Sequence, residues 1–284
     1  MADAANLALR RGVLAVCVLD DVSLVPDTHG IQLEAGEGET VALSWQEIAT
    51  AVGPVDPESE PARTRLRDWL RTRALFAELG AMAQWRAEQT AVPLGLPCGH
   101  PLHPGPAWVR QPVLGGVIDL GIGIRGLVGD DPDYVSVLPP ALAQAVGLRT
   151  DGWWPALRSR LEEMGRLTVA RLERDGNGLI APMGGCDVVT LMGSQALRTH
   201  LARSDGTGLR AVAVPMRSRG WFDLARIDPA FVSAAAAATD EVDRAFWRPL
   251  LVTEEEVGLA TPGGDLTTIV LRDPAPAEPA WPGA

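Results

Sequence analysis

The chain has 284 residues, 46% of them hydrophobic and 21% charged, which describes a globular protein able to bury a substantial core and excludes disorder over most of its length. Its 36 acidic residues outnumber 25 basic ones, for a net charge of −11. That balance argues against nucleic acid as a partner, because phosphate backbones are held by basic patches that displace counterions.

All the basic side chains are arginine, and the sequence has no lysine. A Schiff base with pyridoxal phosphate is therefore impossible, as are the lysine of a Walker A nucleotide loop and the strand lysine of a protein kinase. Lysine loss with arginine and alanine enrichment points to coding from a GC-rich bacterial genome. The single tyrosine, Tyr134, is followed by no lysine, which removes the Tyr-x-x-x-Lys pair of short-chain dehydrogenases.

In chain order, the seven-residue apolar run Val13 to Leu19 ends at Asp20-Asp21 and reads as a core strand rather than a secretion signal. A second short strand is expected near 22–25. Thr40 to Leu43 reads as a strand leading into Ser44-Trp45-Gln46-Glu47, a capping box in which serine and glutamate satisfy free amides at a helix start. After the proline-rich stretch 53–61, apolar residues at spacings of three and four predict a helix to about residue 88, with Gly80 as a break. Arg63, Arg65, Arg67, Arg71 and Arg73 on that helix read as a solvated face.

Six prolines between Pro93 and Pro112 mark a boundary or a long functional loop. The chain is accordingly divided into an N-terminal α/β part, 1–92, the proline-rich segment 93–112, a C-terminal α/β part, 113–272, and a disordered tail, 273–284, with one continuous domain as the alternative. Within the C-terminal part, Val113 to Ile124 reads as a strand, Pro140 to Val146 as a short helix, and Trp154 to Arg174 as a longer helix stopped by Gly176. Val188 to Met192, Ser194 to Arg203 and Leu209 to Val214 read as strand, helix and strand, a βαβ unit near 187–216. Asp228-Pro229 opens an alanine-rich helix to Ala238. Pro249 to Val252 reads as a strand followed by a second capping box, Thr253 to Glu256. The expected fold is therefore α/β, with a mixed or mainly parallel sheet and flanking helices.

Three groups of residues offer chemistry. Gly121-x-Gly123-x-x-Gly126 has the letters of a dinucleotide loop, but no helix pattern follows, so a glycine-rich strand or close backbone packing is the preferred reading. Cys98, His100 and His103 gather soft sulfur and imidazole nitrogen within six residues and are candidate zinc ligands, with a fourth needed from Cys186, Asp187 or His29. In a parallel βαβ unit, Gly193 and Ser194 at the helix start would share the carboxyl edge of the sheet with Arg217 and Arg219. Free amides, a hydroxyl and two guanidinium groups there suit an anion bearing phosphate or carboxylate.

No stretch approaches the length needed to span a bilayer, so no membrane partner is expected. Three scattered cysteines, Cys17, Cys98 and Cys186, suit a reducing cytoplasm. Trp108, Trp221 and the Trp153-Trp154 pair flank expected loops, where aromatic anchors of a protein interface would lie. The sequence thus points to a non-catalytic cytoplasmic accessory or protein-interaction component. The alternatives are an enzyme or sensor for an anionic small molecule and a zinc protein.

Overall fold

A computed structural model describes residues 2–36, 38–113, 116–204, 206–238, 240–262 and 269–272. The chain packs as two compact units, Met1–Ala91 with Gly123–Gly152, and Val92–Ile122 with Trp153–Ala284.

The first unit opens with α1 (Ala2–Leu19), followed by the strands β1 (Leu24–Pro26), β2 (Gly30–Ala35) and β3 (Glu39–Ser44), which form an antiparallel sheet in that order. The apolar run at 13–19 is thus helical, correcting the expected strand. Leu9, Val13 and Val16 fall on one side at helical spacing and are buried with Ile31, Leu33 and Leu66, which outweighs the strand preference of the valines. The capping box forms as read. The Glu47 amide donates to Ser44 Oγ, the Ser44 amide donates to Glu47 Oε2 at 2.8 Å, and α2 (Trp45–Val52) begins there. The next helical stretch is broken at glycine as expected, into α3 (Glu60–Leu79), a 3-10 turn at Gly80–Met82, and α4 (Ala83–Thr90).

The proline-rich segment begins as strand rather than loop. β4 (Ala91–Pro97) is buried throughout and lies at one end of a sheet ordered β4, β6, β5, an edge position where proline costs no ladder bond. β5 (Gln111–Val113) pairs antiparallel with β6 (Ile118–Arg125), so the stretch read as one strand is a hairpin. The end of β6 pairs with β7 (Val135–Val137) in the first unit, followed by α5 (Pro140–Ala145). The letters Gly-x-Gly-x-x-Gly belong to this strand. A Cβ on Gly121 would fall inside the Trp108 indole, whose Nε1 donates to the Ile122 carbonyl at 2.9 Å, and Gly126 has φ +59° at the turn.

The second unit continues with α6 (Trp154–Asp175), stopped by Gly176 in the left-handed conformation, then β8 (Leu179–Ile180). Here the expected parallel sheet is overturned. Val188 to Met192 is a helix, α7 (Val188–Met192), because Asp187 caps it by accepting from the Thr190 amide at 2.7 Å. It is followed directly by α8 (Gln195–Arg203), β9 (Arg210–Met216), β10 (Arg219–Trp221), α9 (Pro229–Ala237), β11 (Leu250–Val252), β12 (Val257–Pro262) and β13 (Ile269–Arg272). The sheet order is β13-β12-β11-β9-β10-β8, and its neighbours pair antiparallel. The expected βαβ unit near 187–216 is not formed among the described residues: β9 lies between two antiparallel partners. Leu120, Leu161, Ile180, Leu197, Val212 and Leu250 meet in the core. The second Thr-x-x-Glu signal is no helix start either. The Thr253 amide donates to the Glu256 carbonyl at 2.9 Å and closes the β11–β12 turn. The tail at 273–284 lies outside the described residues.

Candidate functional site

The proposed zinc ligands separate in the fold. His100 is buried, with Nδ1 accepting from the Leu102 amide at 3.1 Å and Nε2 at 3.2 Å from the Arg244 carbonyl. Cys98 and His103 instead meet at Asp119 on β6. The thiol donates to Asp119 Oδ2 at 3.4 Å, and His103 Nε2 lies 3.1 Å from the same oxygen. The Gly105 amide donates to His103 Nδ1 at 3.1 Å, which puts the ring proton on Nε2, pointing at the carboxylate. A metal needs a lone pair on that nitrogen, so the imidazole in this arrangement is a donor and not a ligand. Among the described residues, no group of three histidine, cysteine, aspartate or glutamate side chains is placed to hold a metal ion.

The electrostatics of this clamp follow from its bonds. The hydrogen bond from His103 holds Asp119 below the usual carboxylate range against the opposing effect of burial, with a further contribution from Cys98. The Cys98 thiol is pushed up to about 12, first by burial among protein atoms and then by the Asp119 charge. Although the residue is exposed, its sulfur is therefore a protonated donor at neutral pH rather than a nucleophile. His103 also meets Trp108 edge to face at 5.3 Å between ring centres, so the clamp fixes the loop between β4 and β5.

The proposed anion site is also differently built. The α8 start does bind an anion, but it is the chain's own Glu162 on α6. Glu162 accepts from Ser194 Oγ at 3.0 Å, from the Gln195 amide at 2.9 Å and from the Ala196 amide at 3.1 Å. Gly193 lies against Leu120, and its carbonyl accepts from Arg198 at 2.7 Å. Arg217 sits at the other end of α7, where its Nε donates to Asp187 Oδ2 at 2.7 Å. Arg219 is exposed on β10. The four residues do not share a sheet edge, because the parallel unit that would have aligned them is absent.

In the first unit the arginine run of α3 enters a polar cluster with Asp20, Asp68 and Tyr134. Tyr134 OH donates to Asp68 Oδ2 at 2.8 Å, Arg67 Nε donates to Asp68 Oδ1 at 3.2 Å, and Arg63 and Arg67 each approach Asp20 at 3.6 Å. Arg65 donates to the Val52 carbonyl at 2.8 Å, and burial lowers its pKa to about 10. The arginine run expected to be a solvated face is therefore half-buried and turned onto the fold. Burial raises Asp68 above the usual carboxylate range against the attraction of Arg67, and raises Tyr134 as well.

The side of α1 opposite its buried stripe presents Leu7, Leu14 and Val18 to solvent. Compared with known proteins, the chain matches no family model, no curated protein and no solved structure.

Proposed function

We propose that this protein is a non-catalytic accessory component that works by binding another protein chain. The observation that carries this reading is α1, whose inner side is buried and whose outer side holds Leu7, Leu14 and Val18 in solvent around Arg11. An exposed run of large aliphatic side chains on one helix face is a common mark of a protein contact. The side chains with the most chemical potential support it by their structural use. Glu162 fills the α8 amides, Asp187 neutralises Arg217, and Asp119 holds Cys98 and His103. No helix among the described residues is long and apolar enough to cross a membrane. Three scattered cysteines, Cys17, Cys98 and Cys186, suit a reducing compartment, and we place the protein in the cytoplasm on that ground.

The test is capture with tagged full-length protein, comparing the parent with Leu7→Glu/Leu14→Glu/Val18→Glu, whose fold is checked by circular dichroism. The expected result is a stoichiometric polypeptide, a second copy or another protein, that the parent retains and the variant loses. Identical retention by both would overturn the reading.

A further inference from the structure

We propose that the outer face of α1 is an isologous interface on which a second copy of this chain docks, with the two α1 helices antiparallel. The inference rests on the reading just given and names its partner. At 100° per residue, Leu7, Arg11, Leu14 and Val18 fall within an arc of about 60°. Leu9, Val13 and Val16 on the other side are buried, whereas Leu7, Leu14 and Val18 are 54%, 48% and 79% exposed. The buried side packs on this unit, while three large aliphatic side chains of the outer stripe are left in solvent.

Two features of the stripe select a copy of itself. The first is spacing. The intervals along Leu7, Arg11, Leu14 and Val18 are four, three and four, which read the same in both directions. A two-fold axis through the midpoint between Arg11 and Leu14 therefore sets Leu7 of one copy opposite Val18 of the other, and Arg11 opposite Leu14. An isologous contact requires such self-complementarity.

The second feature is charge. The charged side chain on the stripe, Arg11, already has its counterion: Nε lies 2.7 Å from Glu58 Oε1, and both side chains are about half exposed. Gly12 seats the helix directly against Pro57, which keeps Glu58 beside the stripe. Two copies thus bring together two cations and two anions near the axis, where each Arg11 lies within reach of either Glu58, while its aliphatic stem covers Leu14 of the other copy. A basic or acidic partner would find a neutral stripe with nothing to attract it.

Each copy contributes three aliphatic side chains to the contact, so the dimer belongs to the weak, reversible class of interfaces. Each copy carries a charge of −11, and the long-range repulsion between copies is screened by salt while the apolar contact is not. Association therefore strengthens as ionic strength rises.

The experiment is analytical ultracentrifugation of the full chain from low to high micromolar concentration, at low and high salt. The parent should show a monomer–dimer equilibrium that shifts toward dimer with salt, and Leu14→Glu, with an unchanged circular dichroism spectrum, should remain monomeric throughout. Orientation is read separately in a Cys17→Ser background, where Leu7→Cys and Val18→Cys proteins should form a mixed disulfide when combined. Self-linkage of Leu7→Cys alone would overturn the antiparallel arrangement. A parent monomeric at every concentration, or a dimer untouched by Leu14→Glu, would overturn the interface itself. Capture of a different protein through the same face would then leave the broader reading standing without this partner.

Discussion

Ser194 Oγ donates to Glu162 Oε2 at 3.0 Å, and through this contact an anion site at a helix start becomes an internal joint between α6 and α8. The carboxylate does what a bound phosphate would do: it accepts from the hydroxyl and from the amides of Gln195 and Ala196. Glu162→Ala leaves those donors without their acceptor and should cost about 1–3 kcal/mol in chemical denaturation. Inorganic phosphate should raise the melting temperature of this variant more than that of the parent. Stabilisation of the parent that is abolished by Arg217→Ala and Arg219→Ala would instead restore the external anion site.

Cys98 should react slowly despite its exposure. Its thiol is pushed up to about 12, compared with about 8.5 for a free cysteine, so the thiolate fraction at pH 8 is smaller by roughly three orders of magnitude. Asp119→Asn removes the neighbouring charge and should speed alkylation of Cys98 by iodoacetamide, read by peptide mass. Equal rates in the two proteins would show that Asp119 does not hold the thiol.

Asp119 also sets an acid limit on stability. Its folded pKa is depressed, so its contribution is present above the unfolded value of about 3.9 and is lost as pH falls through the lower folded value. The parent should therefore lose its advantage over Asp119→Asn below about pH 4. Asp68 has the opposite sign. Burial raises its folded pKa, so its contribution is full below about 3.9 and is lost as pH rises through the folded value. Asp68→Asn, which mimics the neutral form, should gain on the parent as pH rises out of the acid range, as measured by denaturation at a series of pH values.

Gly121 is required by packing. A methyl there would enter the Trp108 indole, which is buried and anchored to the Ile122 carbonyl. Gly121→Ala should cost about 3 kcal/mol, at the upper end of the range for an overfilled core. A loss near zero would mean that the indole moves aside freely.

Local signals in the sequence were reliable where the following residues agreed with them. Ser44 and Glu47 form a capping box because Ile48 and Val52, four apart, give the next turns a buried face. Thr253 and Glu256 carry the same letters, but Thr253 closes a turn onto Glu256 and the chain turns back into β12. Val188 to Met192 is an apolar run too short for periodicity to decide, and the Asp187 cap settles it as helix. Without that strand the parallel sheet disappears, and the grouping of Ser194 with Arg217 disappears with it. Closeness in sequence brought Cys98 and His103 to one place but could not reveal that Asp119, on another strand, would join them while His100 turned to Arg244. The bond between Tyr134 and Asp68 spans 66 positions, and nothing local announces it.

Native mass spectrometry of freshly purified full-length protein, with the denatured mass of the same sample as reference, reports subunit number and bound ligand together. Masses of one and two polypeptides without a small-molecule or metal adduct are expected, with loss of the two-chain species in Leu14→Glu. A single chain carrying a zinc ion or an organic molecule that denaturation releases would contradict the proposed function.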